Sequence, residues 1–185
     1  ALARELDDAI LHLRSNEAEL GTLVFKTAGD GDAVAAYDAQ LQAHADHWLV
    51  REITLYWKRT LKRVDVTSRT IFTLVEPGSC FVGFLAELLF AADRTYMLDG
   101  QFEGDATPAA AIRLSEMNFG PLPMSNGLTR LATRFLGEPE SVDRARGLIG
   151  QDLEGRAALD AGLVTFAPDD IDWEDEVRVA IEERA

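Results

Sequence analysis

Cysteine is almost missing from this sequence. Cys80 stands alone, which excludes an intrachain disulfide, and no charged, apolar and small-residue leader opens the chain, so a cytoplasmic protein is expected. Positive charge is scarce too. Lys and Arg number 18 against 32 Asp and Glu, and a formal net charge of -14 repels phosphate backbones and anionic lipid, so neither nucleic acid nor a membrane is expected as a partner. No apolar run reaches the ~20 residues of a membrane-spanning helix; the longest, Cys80 to Ala92, is interrupted by Glu87. Histidine occurs 3 times. His44 and His47 flank Asp46 in "HADH", a spacing that sets both rings near one helix face, but no further ligand of an HExxH type follows and no metal site is expected. His12 has no partner nearby, and the glycine patterns that cradle phosphates are missing, which argues against nucleotide or nicotinamide chemistry.

What is present is a globular chain. With 185 residues and 47% hydrophobic content it fits one domain with an ample core. "LARELDDAILHL" places Leu2, Leu6, Ala9, Ile10 and Leu13 on one helical face, so the chain starts inside a helix, and "WEDEVRVAIEERA" is helical to its end; both ends read as cut from a longer protein. "GTLVFKT" reads as a buried strand and "AGDGDA" as a turn. A long helix is predicted over roughly Ala33 to Arg63, with Leu49, Ile53, Tyr56, Trp57, Thr60, Leu61 and Val64 on its apolar face. Arg51, Lys58, Arg59, Lys62 and Arg63 form its polar face, a basic cluster in an acidic chain.

"TIFTLVE" predicts a second strand, "PGS" a turn, Cys80 to Ala92 an apolar helix, "RTYML" a third strand and "AIRLSE" a fourth. Strands alternating with helices imply an α/β layer structure with parallel pairing. From Ser125 onward the pattern is helical: "SNGLTRLATRFLG", "ESVDRARGLIG", "EGRAALDAG" and the last segment, divided by Gly137, Gly150 and Gly162.

Two carboxylates stand out. Glu87 is the only ionisable carboxylate in its apolar run, and an ionised carboxylate there must be paired, neutralised or facing a cavity. Glu116 follows the strand "AIRLS". The two could share a cavity as acid and base, since like charges drive pKa values apart; alternatively Glu87 pairs with an arginine such as Arg113 or Arg130 while Glu116 caps a turn. Cys80 at the start of the apolar helix reads as buried packing.

The order of these pieces carries a resemblance. The "G-x-x-x-E-L" helix at Gly83 to Leu88, then "AAD" and a strand, then "SE" ahead of "FGPLP", "GLTRL" and "ALDAGLV", resembles the crotonase superfamily of coenzyme A thioester enzymes over most of residues 1–167. Within it, "DHWLVRE", "EPGSCF", "AADRTYM" and "PDDIDW" are similar to the C-terminal half of the lyases that open the ring of an epoxidised benzoyl-CoA in aerobic benzoate degradation, with addition of water and release of a one-carbon acid.

The resemblance implies an α/β fold: a crotonase-like spiral of ββα units forming one domain over residues 1–185, with an α/β core to residue 120, a helical portion over 121–185 and the first hairpin missing. It puts Glu87 and Glu116 at the acid and base positions and the Gly83–Phe84 backbone at one of two N–H donors to the thioester oxygen, donors commonly worth ~3–4 kcal/mol each. It implies no cofactor beyond the coenzyme A of the acyl-CoA substrate, an N-terminal crotonase-like half as partner, and a homo-oligomer. The sequence departs from the pattern at both donors. Phe84 and Leu85 stand where further glycines are expected, so a ring beside the donor could fill the acyl channel, and the second donor loop, Lys26 to Val34, has no clean match. Two roles therefore stay open: a structural, oligomerising half whose glutamates are internal pairing groups, or an active thioester site. Missing segments would leave sheet edges and apolar faces to be covered.

Overall fold

The computed structural model describes residues 1–184. Helix α1 (Leu2–Asn16) turns Ala3, Asp7 and Ile10 inward, a stripe rotated from the leucine face that the sequence predicts. The reason is an ion pair. Asp7 meets Arg63, and Tyr56 donates to the same carboxylate at 3.4 Å, so a charged residue takes the position facing the neighbouring helix while Leu2 stays exposed.

Strand β1 (Thr22–Phe25) leads into α2 (Gly31–Ala43) and α3 (Trp48–Asp65). The single long helix predicted here is two. Residues 44–47 form a turn, and the His47 ring accepts the Leu49 N–H at 3.3 Å, so "HADH" ends one helix and caps the next instead of lining one face. Only the second half of α3 buries the predicted stripe, through Trp57, Thr60, Leu61 and Val64; Leu49 and Ile53 are exposed.

Strands β2 (Thr70–Val75) and β3 (Arg94–Met97) complete a parallel sheet of order β1-β2-β3, in register Val24 to Phe72 and Thr73 to Thr95. The central strand is buried on both faces, as its unbroken apolar run requires, and its one inward hydroxyl, on Thr73, donates to Thr95 at 2.8 Å. The outer edge of β3 is covered by the chain itself. Met97 N–H donates to Phe166 C=O, Asp99 N–H to Pro168 C=O, and the Tyr96 and Phe166 rings stack at 4.8 Å.

The apolar segment predicted as one helix from Cys80 begins as extended chain, passes through a 3-10 turn at Gly83–Leu85 and becomes helical only at α4 (Ala86–Ala91). Strand β4 (Ala111–Arg113) leaves the parallel pattern. It pairs antiparallel with β5 (Asp152–Glu154), a strand absent from the sequence reading, with Ile112 opposite Leu153. The helical C-terminal portion holds α5 (Arg130–Arg134), α6 (Pro139–Arg146), α7 (Gly155–Asp160) and α8 (Trp173–Glu182), shorter than the periodicity suggests. Phe72, Phe81, Leu61, Leu89 and Ile112 are fully buried between these layers, and Glu87 lies among them.

Candidate functional site

Glu87 sits in the first turn of α4 with no exposed surface. Both oxygens are engaged: Oε2 accepts from Arg130 at 2.7 Å and Oε1 from the Asn118 amide at 2.8 Å. Arg130, itself buried at the start of α5, turns the rest of its fork to Asp65 at the end of α3, with contacts of 2.9 and 2.7 Å, and also donates to the Leu122 carbonyl at 3.0 Å. One guanidinium thus serves two carboxylates. Of the pairings open from sequence, Arg130 is the partner of Glu87, while Arg113 holds Asp152 and Asp32.

Burial pushes the Glu87 carboxyl up to about 7, with Arg130 and Asn118 pulling against it and Asp65 adding to the rise. The direction follows from charge balance, because a single cation cannot compensate two carboxylates in a dry site. A raised folded value means that the folded protein holds the proton more tightly than the unfolded chain. Its contribution is complete below the unfolded value of 4.5 and lost as pH climbs through about 7. Glu87→Gln should abolish that dependence. Comparing urea unfolding at pH 5 and pH 8, the variant is expected to gain on the parent by on the order of 3 kcal/mol across the interval, and a constant gap would mean that Glu87 is ionised throughout.

Glu116 faces the other way. It opens a 3-10 turn, Glu116–Phe119, whose preceding Ser115 closes a capping box with Asn118. Its side chain is 58% exposed and binds Arg146 at 2.8 Å, while Asn118, two residues on, reaches Glu87 and the Gly83 carbonyl. The two glutamates therefore engage different arginines, one in the core and one at the surface. Asn118 takes the inward place beside Glu87.

At Gly83 and Phe84 the backbone is arranged as a donor, and the donor is taken. The Phe84 ring turns into the core against Trp57, with centroids 5.0 Å apart, so it is not the obstruction considered from sequence. Its N–H points to Asp38 of α2, whose Oδ1 accepts at 2.9 Å. Asp38 is 2% exposed and also accepts from Gln42 at 2.6 Å; burial pushes its carboxyl up against the hydrogen bonds that favour its charged form. Gly83 has φ +52°, and a Cβ there would fall 2.4 Å from the same Asp38 oxygen. The second donor loop is likewise committed: Asp30 caps α2, Gly29 N–H donates to Gly78 C=O, and Thr27 accepts the Cys80 N–H at 2.9 Å.

Asp38, Asp65 and Asn118 were not legible as site residues. Each is an ordinary polar residue in a helix or loop, and only the tertiary fold brings them to Glu87 and Phe84. Among the described residues no group of three or more side chains is placed to hold a metal, and no helix is long and apolar enough to cross a membrane.

No family model matches the chain. It is 48% identical over 184 residues to benzoyl-CoA-dihydrodiol lyase of Aromatoleum evansii, a match that covers 100% of this chain and 32% of that protein. Among solved structures, Pseudomonas aeruginosa AtuE superposes with a TM-score of 0.65 at 19% identity, covering 99% of this chain and 66% of the other. An enoyl-CoA hydratase from Bacillus anthracis gives 0.63 at 19% identity, covering 99% and 65%. The chain thus spans about a third of the related lyase and about two thirds of these structures. It has the crotonase fold, and along its whole length its sequence is similar to that third of benzoyl-CoA-dihydrodiol lyase.

Proposed function

We propose that this chain is the C-terminal, supporting crotonase-like half of a lyase that hydrolytically opens the ring of an epoxidised, dihydrodiol-type benzoyl-CoA, and that acid-base chemistry on the thioester belongs to an N-terminal half. One observation carries this reading: the Phe84 N–H, which a thioester oxygen would need, is hydrogen-bonded to the Asp38 carboxylate. An anionic oxygen already held there at 2.9 Å excludes a second one, by space and by charge. Glu87 and Glu116 are then pairing groups, the first fixing α4 to α5 through Arg130 and the second tying its turn to Arg146.

The supporting role has a surface to work with. The first half of α3 leaves Trp48 69% exposed beside Leu49 and Ile53, next to the basic Arg51. The related lyase extends well beyond the 32% matched here, and the remainder of the parent chain is the occupant this reading assigns to that face.

A second reading, an acting thioester site with Glu87 and Glu116 as acid and base, is favoured by Glu87 sitting near 7, a value suited to proton transfer. Calorimetric titration with benzoyl-CoA separates the two. The folded 185-residue chain is expected to give no saturable heat up to millimolar ligand. Saturable binding, together with turnover of the epoxide that disappears in a Glu87→Gln, Glu116→Gln double variant, would put the chemistry here and overturn the supporting role.

A further inference from the structure

Helix α2 is unusual in what it buries. Its one buried residue is a carboxylate, Asp38, while Tyr37 and most other side chains face solvent and only Val34 and Leu41 lean partly on the core. Its packing is chiefly against the Gly83–Leu85 turn, where Asp38 receives the Phe84 N–H. A second tie, from Arg113 to Asp32 at 2.8 Å, holds the first turn of the helix, but Asp32 is 83% exposed and such a bond contributes little. On either side of the helix the chain changes direction, at Asp30 before it and through the turn at residues 44–47 after it.

An apolar face normally fixes a helix to its domain, at about 25 cal/mol per Å² of surface removed from water. Here that attachment is small, and a polar contact with strict geometry stands in its place. Gly83 is shaped to that contact, since any Cβ would collide with Asp38. Gln42, on α2 itself, holds the second oxygen, and the Phe84 N–H is what the first gains from outside the helix, so that bond is made only when α2 is seated.

We propose that α2 is a lid over the Gly83–Phe84 turn and that Asp38 is its latch: releasing Asp38 frees residues 31–43 to open as a unit while the β1-β2-β3 sheet and α4 stay folded. The proposal stands on the packing of α2 and holds whether or not the chain takes an acyl-CoA. Opening uncovers the Phe84 N–H, and no other element need move.

Hydrogen exchange read by mass spectrometry tests it. In Asp38→Ala, peptides from residues 31–43 and 83–85 are expected to exchange about tenfold faster or more, with β1, β2 and β3 unchanged. Asp38→Asn, which keeps an acceptor for the Phe84 N–H, should accelerate them less than about threefold. In the unmodified chain, α2 should open with a shallower urea dependence than the strands, because a lid exposes less surface than global unfolding. This last measurement decides the matter even if Asp38→Ala does not fold. The lid is overturned if α2 and the strands share one urea slope. It is equally overturned if a folded Asp38→Ala exchanges like the parent over residues 31–43, or if its acceleration extends equally across the strands.

Discussion

Arg130→Leu is expected to lower the unfolding free energy by about 3–5 kcal/mol, enough to leave the chain marginal. Among the described residues Arg130 is the one cation bonded to either Glu87 or Asp65, and both carboxylates are buried around it. Leucine fills much of the volume but leaves two buried carboxyls without their counter-charge, Glu87 keeping only the Asn118 amide, and takes a donor from the Leu122 carbonyl. The chain would answer by taking up protons, so the loss should shrink at acid pH, where protonated carboxyls no longer demand a counter-charge. Arg130→Lys should recover only part of the loss, because an ammonium is a point charge and cannot fork between two partners. Adding Glu87→Gln and Asp65→Asn to Arg130→Leu should restore more, since neutral amides are cheaper to bury than carboxylates. Urea unfolding of the set checks this. An Arg130→Leu protein as stable as the parent would mean that the three charges do not depend on one another.

The second large effect is expected at Gly83. Gly83→Ala should destabilise by about 2–4 kcal/mol, combining the penalty of a left-handed alanine with the loss of a buried charge-assisted hydrogen bond. The new methyl and the Asp38 oxygen would need the same space, so α2 must withdraw or the turn must shift, and either breaks the bond to Phe84 N–H. Non-additivity identifies this cause. In an Asp38→Ala background the collision is gone, so Gly83→Ala should then cost only its backbone share, with a coupling of about 1 kcal/mol or more between the two positions. Independent, additive effects would place the glycine requirement in the turn alone.

Strands β1, β2 and β3 and the inward half of α3 were plain in the sequence. Strand β1, expected to be buried, lies at the sheet edge with Val24 exposed, whereas β2 is buried on both faces, which leaves an unbroken apolar signature. Glu87 was legible for the same reason, as a carboxylate set in an apolar run. The break between α2 and α3 was not, since residues 44–47 contain neither Gly nor Pro and the cap comes from the His47 ring. Strand β5 escaped because Asp152–Glu154 is three residues with one buried side chain, too short for alternation to register. At the site, sequence led to Glu116 by its place after a strand, yet the capping box at Ser115 turns Asn118 inward and Glu116 outward. Asp38 gave no signal at all. A single aspartate in "AAYDAQ" reads as a solvated helix residue, and only the approach of α2 to a glycine 45 positions along the chain makes it a buried ligand.

The supporting role turns on one contact, between the Asp38 carboxylate and the Phe84 amide. The measurement that tests it most directly is the nuclear magnetic resonance signal of the Phe84 amide in isotope-labelled protein, followed while benzoyl-CoA is added. A proton shared with a carboxylate should resonate downfield, move in Asp38→Ala, and remain unperturbed by benzoyl-CoA up to millimolar concentration. A saturable shift of that amide on adding benzoyl-CoA to the unmodified chain would show that a thioester reaches the donor, and would contradict the claim that Asp38 fills its place.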